Sequence, residues 1–244
     1  MKTLNVKINY LYNSGFYVET KNYILIFDYY RDYVENGTKG INNGTVSYED
    51  INTDKKVIVF SSHSHQDHFN PVIFKWQEYK EDIIYILSSD IDADFNNNDV
   101  NIMSAYDELK LNEVYIKAYG STDIGVSFLV KVDNTVIFHA GDLNWWYWYD
   151  EAEEDNKYAE LLFRNEIERI KGEKIDIAFF PVDPRLKHNY SLGAEWFIHE
   201  INPEIMIPMH FGESFETTNA FKERVKRLSV KVITISRRGE EITV

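Results

Sequence analysis

The order of apolar and polar positions divides the chain into short segments of two kinds. In the first third the period is two. Leu4-Asn5-Val6-Lys7-Ile8-Asn9-Tyr10 alternates, as a half-buried strand does. Gly15-Phe16-Tyr17-Val18-Glu19 and Tyr23-Ile24-Leu25-Ile26-Phe27 read as two further strands, with Thr20-Lys21-Asn22 suiting a hairpin turn between them. Asp28 ends the second of these. The stretch from Tyr33 to Asp50, rich in Gly and Asn, predicts a loop, and the wholly apolar Val57 to Phe60 a buried strand. Asn70 to Lys80 predicts a helix, since Pro71 suits its first turn.

Strands are then expected at Ile83 to Leu87, Asn101 to Met103, Glu113 to Ala118, Gly125 to Val132 and Thr135 to His139. From Glu151 the pattern changes. Glu151 to Lys171 is acidic at its start and basic at its end, which complements a helix dipole, and Tyr158, Leu161, Leu162 and Ile170 mark an apolar stripe. A strand at Ile175 to Pro181, a helix at Ser191 to Glu200 and a strand from Glu204 to Met209 lead into His210. Thr218 to Leu228 reads as a last helix and Val230 to Ile235 as a last strand. No Gly/Ser/Pro-rich linker and no sequence repeat interrupts this order, so one α/β domain over residues 1–244 is expected.

Composition narrows the chemistry. Hydrophobic residues make up 44% of the 244 and charged residues 27%, as in globular chains. No run of eighteen or so apolar residues predicts a membrane span, and the first residues lack the apolar core of a signal peptide, so a cytoplasmic protein is expected. Forty acidic residues against 26 basic ones leave a formal charge of −14. That field opposes nucleic acid, and the basic groups at Lys222 to Arg227 and Arg237-Arg238 are small. Cysteine is absent, which removes disulfides, thiol nucleophiles and thiolate metal sites. Any metal must be held by His and carboxylate.

Three of the seven histidines crowd into VIVFSSHSHQDHFNP, Val57 to Pro71. In an extended loop His63 and His65 point the same way, and Asp67 and His68 follow a turn of the chain. Such a loop offers half-shells to two metal ions a few ångströms apart. The plainer alternative is a His-rich surface loop.

His63-Ser64-His65-Gln66-Asp67-His68 resembles the HxHxDH motif of the metallo-β-lactamase fold superfamily. Phe27-Asp28 resembles its early aspartate, His139-Ala140-Gly141-Asp142 its Gly-Asp motif, and Pro208-Met209-His210-Phe211 its last histidine. The wording is most similar to the lactonase-like branch without cysteine. The resemblance implies an α/β, αββα four-layer sandwich with a metal site at the sheet edge. It implies one or two divalent ions (zinc, manganese or iron). His63 and His65 belong to a first site, Asp67, His68 and His210 to a second, and Asp142 lies between them. Asp28 is implied as support for an imidazole, although backbone N–H groups are an equal claim on it. The implied activity is hydrolysis of a small-molecule ester, lactone or phosphoester by a metal-activated hydroxide, with Asp67 orienting the nucleophile or carrying a proton. Two alternatives stand: a nuclease of the tRNA-processing type, which would want a basic face, and a non-catalytic metal-binding sensor or scaffold. The expected partner is a small molecule, and a homo-oligomer is compatible with the chain.

One family feature is missing. The loop Ala118 to Gly125 has no histidine where the family supplies a third ligand to the first site. Asp123 is a candidate replacement, against a plain turn framed by Gly120 and Gly125. His139 is a substitute by type, but its counterpart in the motif is not normally a ligand. Trp145, Trp146 and Trp148 either wall a substrate pocket or pack the following helix. Arg185, Lys187 and His188 either meet an anionic substrate group or are surface charges.

Overall fold

Strands form where the period of two predicts them, and the ladders they make split into two sheets. The computed structural model describes residues 4–92 and 99–244. It has two compact units, Met1–Ser104 with Ser236–Val244, and Ala105–Ile235. The first unit holds β1 (Lys7–Tyr12), β2 (Gly15–Glu19), β3 (Tyr23–Phe27), the short helix α1 (Tyr48–Ile51), β4 (Lys56–Ser61), β5 (Ile84–Ser88) and β6 (Val100–Met103). The second holds β7 (Glu108–Leu111), β8 (Val114–Tyr119), β9 (Ser127–Val132), β10 (Thr135–His139), β11 (Ile177–Pro181), β12 (Ile205–Met209) and β13 (Lys231–Val232). The chain then returns to the first unit as β14 (Glu241–Thr243).

Each unit is built on one mixed, seven-stranded sheet, ordered β14-β1-β2-β3-β4-β5-β6 in the first and β13-β12-β11-β10-β9-β8-β7 in the second. The two share a plan that no sequence repeat announces. Antiparallel pairs run as far as β3 and β10, and from those strands onward every pair is parallel. The residues singled out above follow the carboxyl ends of parallel strands: Asp28 after β3, His63 to His68 after β4, Asp142 after β10 and His210 after β12. Such ends, near the point where a sheet changes its strand order, are where α/β folds bind ligands.

Burial follows the strand period. In the first unit Ile24 and Ile26, Val57 and Val59, and Tyr85 and Leu87 share one core with Ile73, Trp76 and Tyr29. Residues 236–244 are tied to this unit twice. β14 pairs with β1, and the Arg238 guanidinium donates to the carbonyls of Leu11, Arg31, Tyr33 and Gly44 at 2.7–2.8 Å. In the second unit the helices α2 (Glu153–Ile170) and α3 (Leu192–Ile201) pack aromatic rings on the sheet, with Phe197 4.6 Å from Phe180 and 5.4 Å from Phe138. The helix Glu216–Arg224 follows β12. Among the described residues no helix is long and apolar enough to cross a membrane.

Some expectations needed correction. Asn70 to Lys80 holds a 3-10 helix, Pro71–Glu78, in which Asn70 accepts from the Val72 N–H. The expected loop from Tyr33 to Asp50 contains a 3-10 turn at Ile41–Asn43 and the start of a short helix, Tyr48–Ile51, closed by a Ser47/Asp50 capping box. The stripe on α2 is mostly a different one. Phe163, Ile167 and Ile170 face inward with Glu166, whereas Tyr158, Leu161 and Leu162 are 62%, 54% and 38% exposed. At 3.6 residues per turn those three lie roughly 100–200° around the helix from Phe163.

Candidate metal centre

The histidine loop of the first unit is set by a parallel register. Phe27 pairs with Phe60, and the Asp28 N–H donates to the Phe60 carbonyl, which brings the Asp28 side chain beneath the loop that follows β4. Asp28 is fully buried and takes a left-handed backbone (φ 43°), which aspartate tolerates better than most residues. Its carboxylate accepts from the Ser62 N–H at 2.7 Å and from the Ser62 hydroxyl at 2.7 Å, and lies 2.8 Å from His68 Nδ1. An ionised carboxylate can only accept, so Nδ1 of His68 carries a proton, and in the neutral ring the lone pair is on Nε2. Ser62 Oγ is also 2.9 Å from His63 Nδ1. With its own proton given to Asp28, the hydroxyl accepts there, and His63 too is fixed with a bare Nε2. Asp28 therefore meets the loop through both a backbone N–H and an imidazole.

The other loop residues are more open. His63 Nε2 is 3.1 Å from His65 Nδ1, and the His65 carbonyl accepts from the N–H groups of His68 and Phe69, which makes the turn. The Ser64 N–H donates to Asp90. Asp67 has a side chain 43% exposed, accepts from Asn13 Nδ2 at 3.0 Å and lies 3.6 Å from His68 Nε2.

In the second unit Asp142 and His210 come together at the ends of β10 and β12. His210 Nε2 is 3.3 Å from Asp142 Oδ1, and both residues are buried. Behind His210 stands Asp183, which sequence reasoning passed over. It follows β11, is fully buried, and its Oδ2 is 3.0 Å from His210 Nδ1. Burial raises the pKa of this carboxyl, but hydrogen bonds from His210 and Arg185 and their charge outweigh it, so the net shift is downward. The Asp142 segment is held by Thr122, whose hydroxyl meets the Asp142 and Asn144 carbonyls and the Asn144 N–H. The same contact brings Asp123 close: one of its carboxylate oxygens lies within 4.8 Å of one on Asp142. Glu166 of α2 anchors the start of that loop by accepting from the Gly120 N–H at 2.8 Å.

The remaining candidates separate. His139 is fully buried and its Nδ1 accepts from the Gly141 N–H at 3.3 Å, inside its own turn. Trp145 is buried against Phe163 and Trp196, with the Arg164 guanidinium over both indoles, which is a packing position. Trp146 and Trp148 are half-buried and stacked at an interplanar angle of 8°, and Trp146 sets its edge against the His210 ring at 5.5 Å. Arg185 is bound to Asp183 through Nε and Nη2. Lys187 lies over the Tyr149 ring at 3.3 Å, and His188 is exposed.

No family model matches the sequence, and no curated protein matches it. Solved structures do. YhfI of Bacillus subtilis, a metallo-β-lactamase fold protein, is 15% identical, matched over 99% of this chain and 100% of its own with a TM-score of 0.60. The fold is that of the metallo-β-lactamases. Igni18, a metallo hydrolase of the archaeon Ignicoccus hospitalis, shares it at 16% identity over 98% of each chain, with a TM-score of 0.66. CmlA, a diiron β-hydroxylase of Streptomyces venezuelae, matches all of this chain and 54% of its own at 11% identity and a TM-score of 0.60. Proteins named for different chemistries thus match this fold, and the chemistry of this chain has to come from its own residues.

Proposed function

We propose that this chain is a metal-dependent hydrolase of small molecules, acting on a carboxylic ester, lactone or phosphoester. One observation carries the reading. His68 and His210, in separate motifs, each set Nδ1 against a fully buried aspartate and turn Nε2 toward a further carboxylate, Asp67 at 3.6 Å and Asp142 at 3.3 Å. Metal-binding histidines are held in this way, because the outer partner fixes the tautomer and raises the basicity of the ligating nitrogen. The donor set fits a divalent cation. Imidazole nitrogens with carboxylate oxygens and no thiolate suit zinc, manganese or iron. In this reading His63 and His65 serve one ion, Asp67, His68 and His210 a second, and Asp142 both, with Asp123 in place of the absent histidine. Such ions supply Lewis acidity and lower the pKa of water toward neutrality.

The residues do the rest. Asp67 is held on one side by Asn13 and is otherwise partly open, so it can orient a nucleophile and take up its proton. Trp146 and Trp148 form an apolar ledge beside His210 for the uncharged part of a substrate. Lys187 and His188 are left to meet an anionic group. The formal charge of −14 favours a small substrate over a polynucleotide.

The test is elemental analysis of the purified protein with a panel of esters, lactones and phosphoesters. Bound zinc, manganese or iron and a turnover lost in Asp142→Ala/His210→Ala are expected. Full metal retention in the double variant would sink the ligand assignment. Metal-loaded protein that cleaves nothing on the panel would favour the sensor or scaffold.

A further inference from the structure

We propose that Asp183 and Arg185 form a fixed pair whose task is to set the tautomer of His210, so that Arg185 positions a metal ligand instead of binding substrate. The proposal rests on His210 being a ligand. Its starting point is a register. Pro181 pairs with Met209 in parallel, and the Val182 N–H donates to the Met209 carbonyl, so the residues that next leave the two strands, Asp183 and His210, emerge side by side.

Two groups compete for Nδ1 of His210: Asp183 Oδ2 at 3.0 Å and Arg185 Nη2 at 3.2 Å. They demand opposite tautomers. A guanidinium N–H aimed at Nδ1 needs a lone pair there and would send the proton to Nε2. The carboxylate needs a proton on Nδ1. The carboxylate wins because the Arg185 side chain is 60% exposed, so the second Nη2 hydrogen can turn to water, whereas a buried carboxylate 3.0 Å from a lone pair would find no such relief. Arg185 meets both oxygens: Nε lies 3.0 Å from Oδ1 and 2.9 Å from Oδ2. The fork holds the carboxylate in plane, which a lysine could not do. Asp183 Oδ1 also caps the 3-10 helix Pro184–Asn189 by accepting from the Arg185 N–H at 2.9 Å, which fixes the second end of the carboxylate. The Arg185 guanidinium carbon lies 5.8 Å from the Trp148 ring centre, so the pair is also braced from the aromatic side.

Asp183→Asn is the informative change. Asparagine caps as well as aspartate, so the fold should hold. With its oxygen kept by the Arg185 N–H, its NH2 falls where Oδ2 was and donates to His210 Nδ1. The His210 proton then moves to Nε2 and blocks the nitrogen meant for metal. Asn in place of a triad aspartate fails for the same reason.

The experiment reads long-range 1H–15N imidazole correlations of metal-stripped protein carrying Asp142→Ala, which removes the carboxylate 3.3 Å from Nε2, at a pH where histidine is neutral, with His210→Gln assigning the signals. With Asp183 in place His210 should be protonated on Nδ1, and with Asp183→Asn on Nε2. Manganese and zinc should each bind Asp183→Asn about 10–100-fold more weakly. Arg185→Ala should weaken metal binding by a smaller factor and leave thermal protection of the metal-stripped protein by inorganic phosphate unchanged. A folded Asp183→Asn with the wild-type tautomer would overturn the proposal. So would an Arg185→Ala that loses phosphate protection while binding metal normally. His210→Gln that retains all metal would instead overturn the ligand reading and leave the tautomer result standing.

Discussion

Replacing Glu166 with alanine should cost this protein about 2–3 kcal/mol, nearly all of it through one backbone N–H. Glu166 is 7% exposed and makes three contacts: the Gly120 N–H at 2.8 Å, the Tyr106 hydroxyl at 2.9 Å and Arg169 at 3.7 Å. They are unequal. The Arg169 side chain is 58% exposed, and an ion pair there contributes about nothing. Tyr106 is 48% exposed, so water can take its hydroxyl. Gly120 is buried, and its N–H would be left as an unsatisfied donor, at about 1–3 kcal/mol, near the upper end because the lost partner is charged. Alanine gives back a few tenths through helix propensity. A Cβ on Gly120 would sit 2.9 Å from Glu166 Oε2, so the glycine leaves room for the carboxylate to approach its N–H. Urea titration of Glu166→Ala beside Glu166→Gln measures this. Gln keeps an acceptor and should recover most of the loss. An alanine variant within about 0.5 kcal/mol of wild type would refute the reasoning, since it would mean that the Gly120 N–H finds another partner.

Gly193→Ala tests packing against propensity. Alanine in a helix gains about 1 kcal/mol over glycine, but a Cβ here would overlap Asn144 Oδ1 and come within 2.8 Å of the Trp145 backbone nitrogen. A lower thermal midpoint and weaker metal binding are expected, and a raised midpoint would count against the geometry beside Asp142. The Asp90 carboxyl is opposed by burial but held below its ordinary 3.8 by hydrogen bonds from Ser88 and Ser64. Its contribution is present above that value and lost as the pH falls through the lower folded one. The stability gap between wild type and Asp90→Asn should be flat above about pH 5 and shrink on further acidification; a gap unchanged at about pH 3 would deny the carboxylate this role. Metal should bind unequally, because the first ion lacks a third histidine. Losing such a ligand costs at least the roughly 10–100-fold of an outer partner, so calorimetric titration should resolve a tight equivalent before a weak one, and two equal equivalents would make Asp123 a full replacement.

What was legible in the sequence was local. β2, β3 and β10 lie where their apolar runs placed them, because burial is written in the residues themselves. β7 was missed: its Glu108-Leu109-Lys110-Leu111 exposes most of itself and reads as loop. β14 was missed because three residues carry no period, and only pairing with β1 makes them a strand. The histidine loop, Asp142 and His210 were visible as motifs. Asp183 was not, since it gains its meaning from a register between β11 and β12 separated by over twenty residues of chain. Arg185 was visible as a charge, but its partner two residues earlier was not read as one. Ser62 went unnoticed for the same reason, as its hydroxyl matters only once Asp28 is beneath it.

The return of residues 236–244 to the first unit has a consequence for synthesis. The chain leaves the ribosome in order, so β1 to β6 emerge, and then the 131 residues from Ala105 to Ile235 (235 − 105 + 1), before β14 exists. At about 5–20 residues per second that interval lasts roughly 7–26 s. Throughout it the outer edge of β1 has no neighbour, and the carbonyls of Leu11, Arg31, Tyr33 and Gly44 wait for a guanidinium that has not yet been made. An open strand edge held that long is a place for another nascent chain to pair. The first unit, though begun first, is finished last, and a ribosome stalled within the second unit leaves behind a protein with a bare edge.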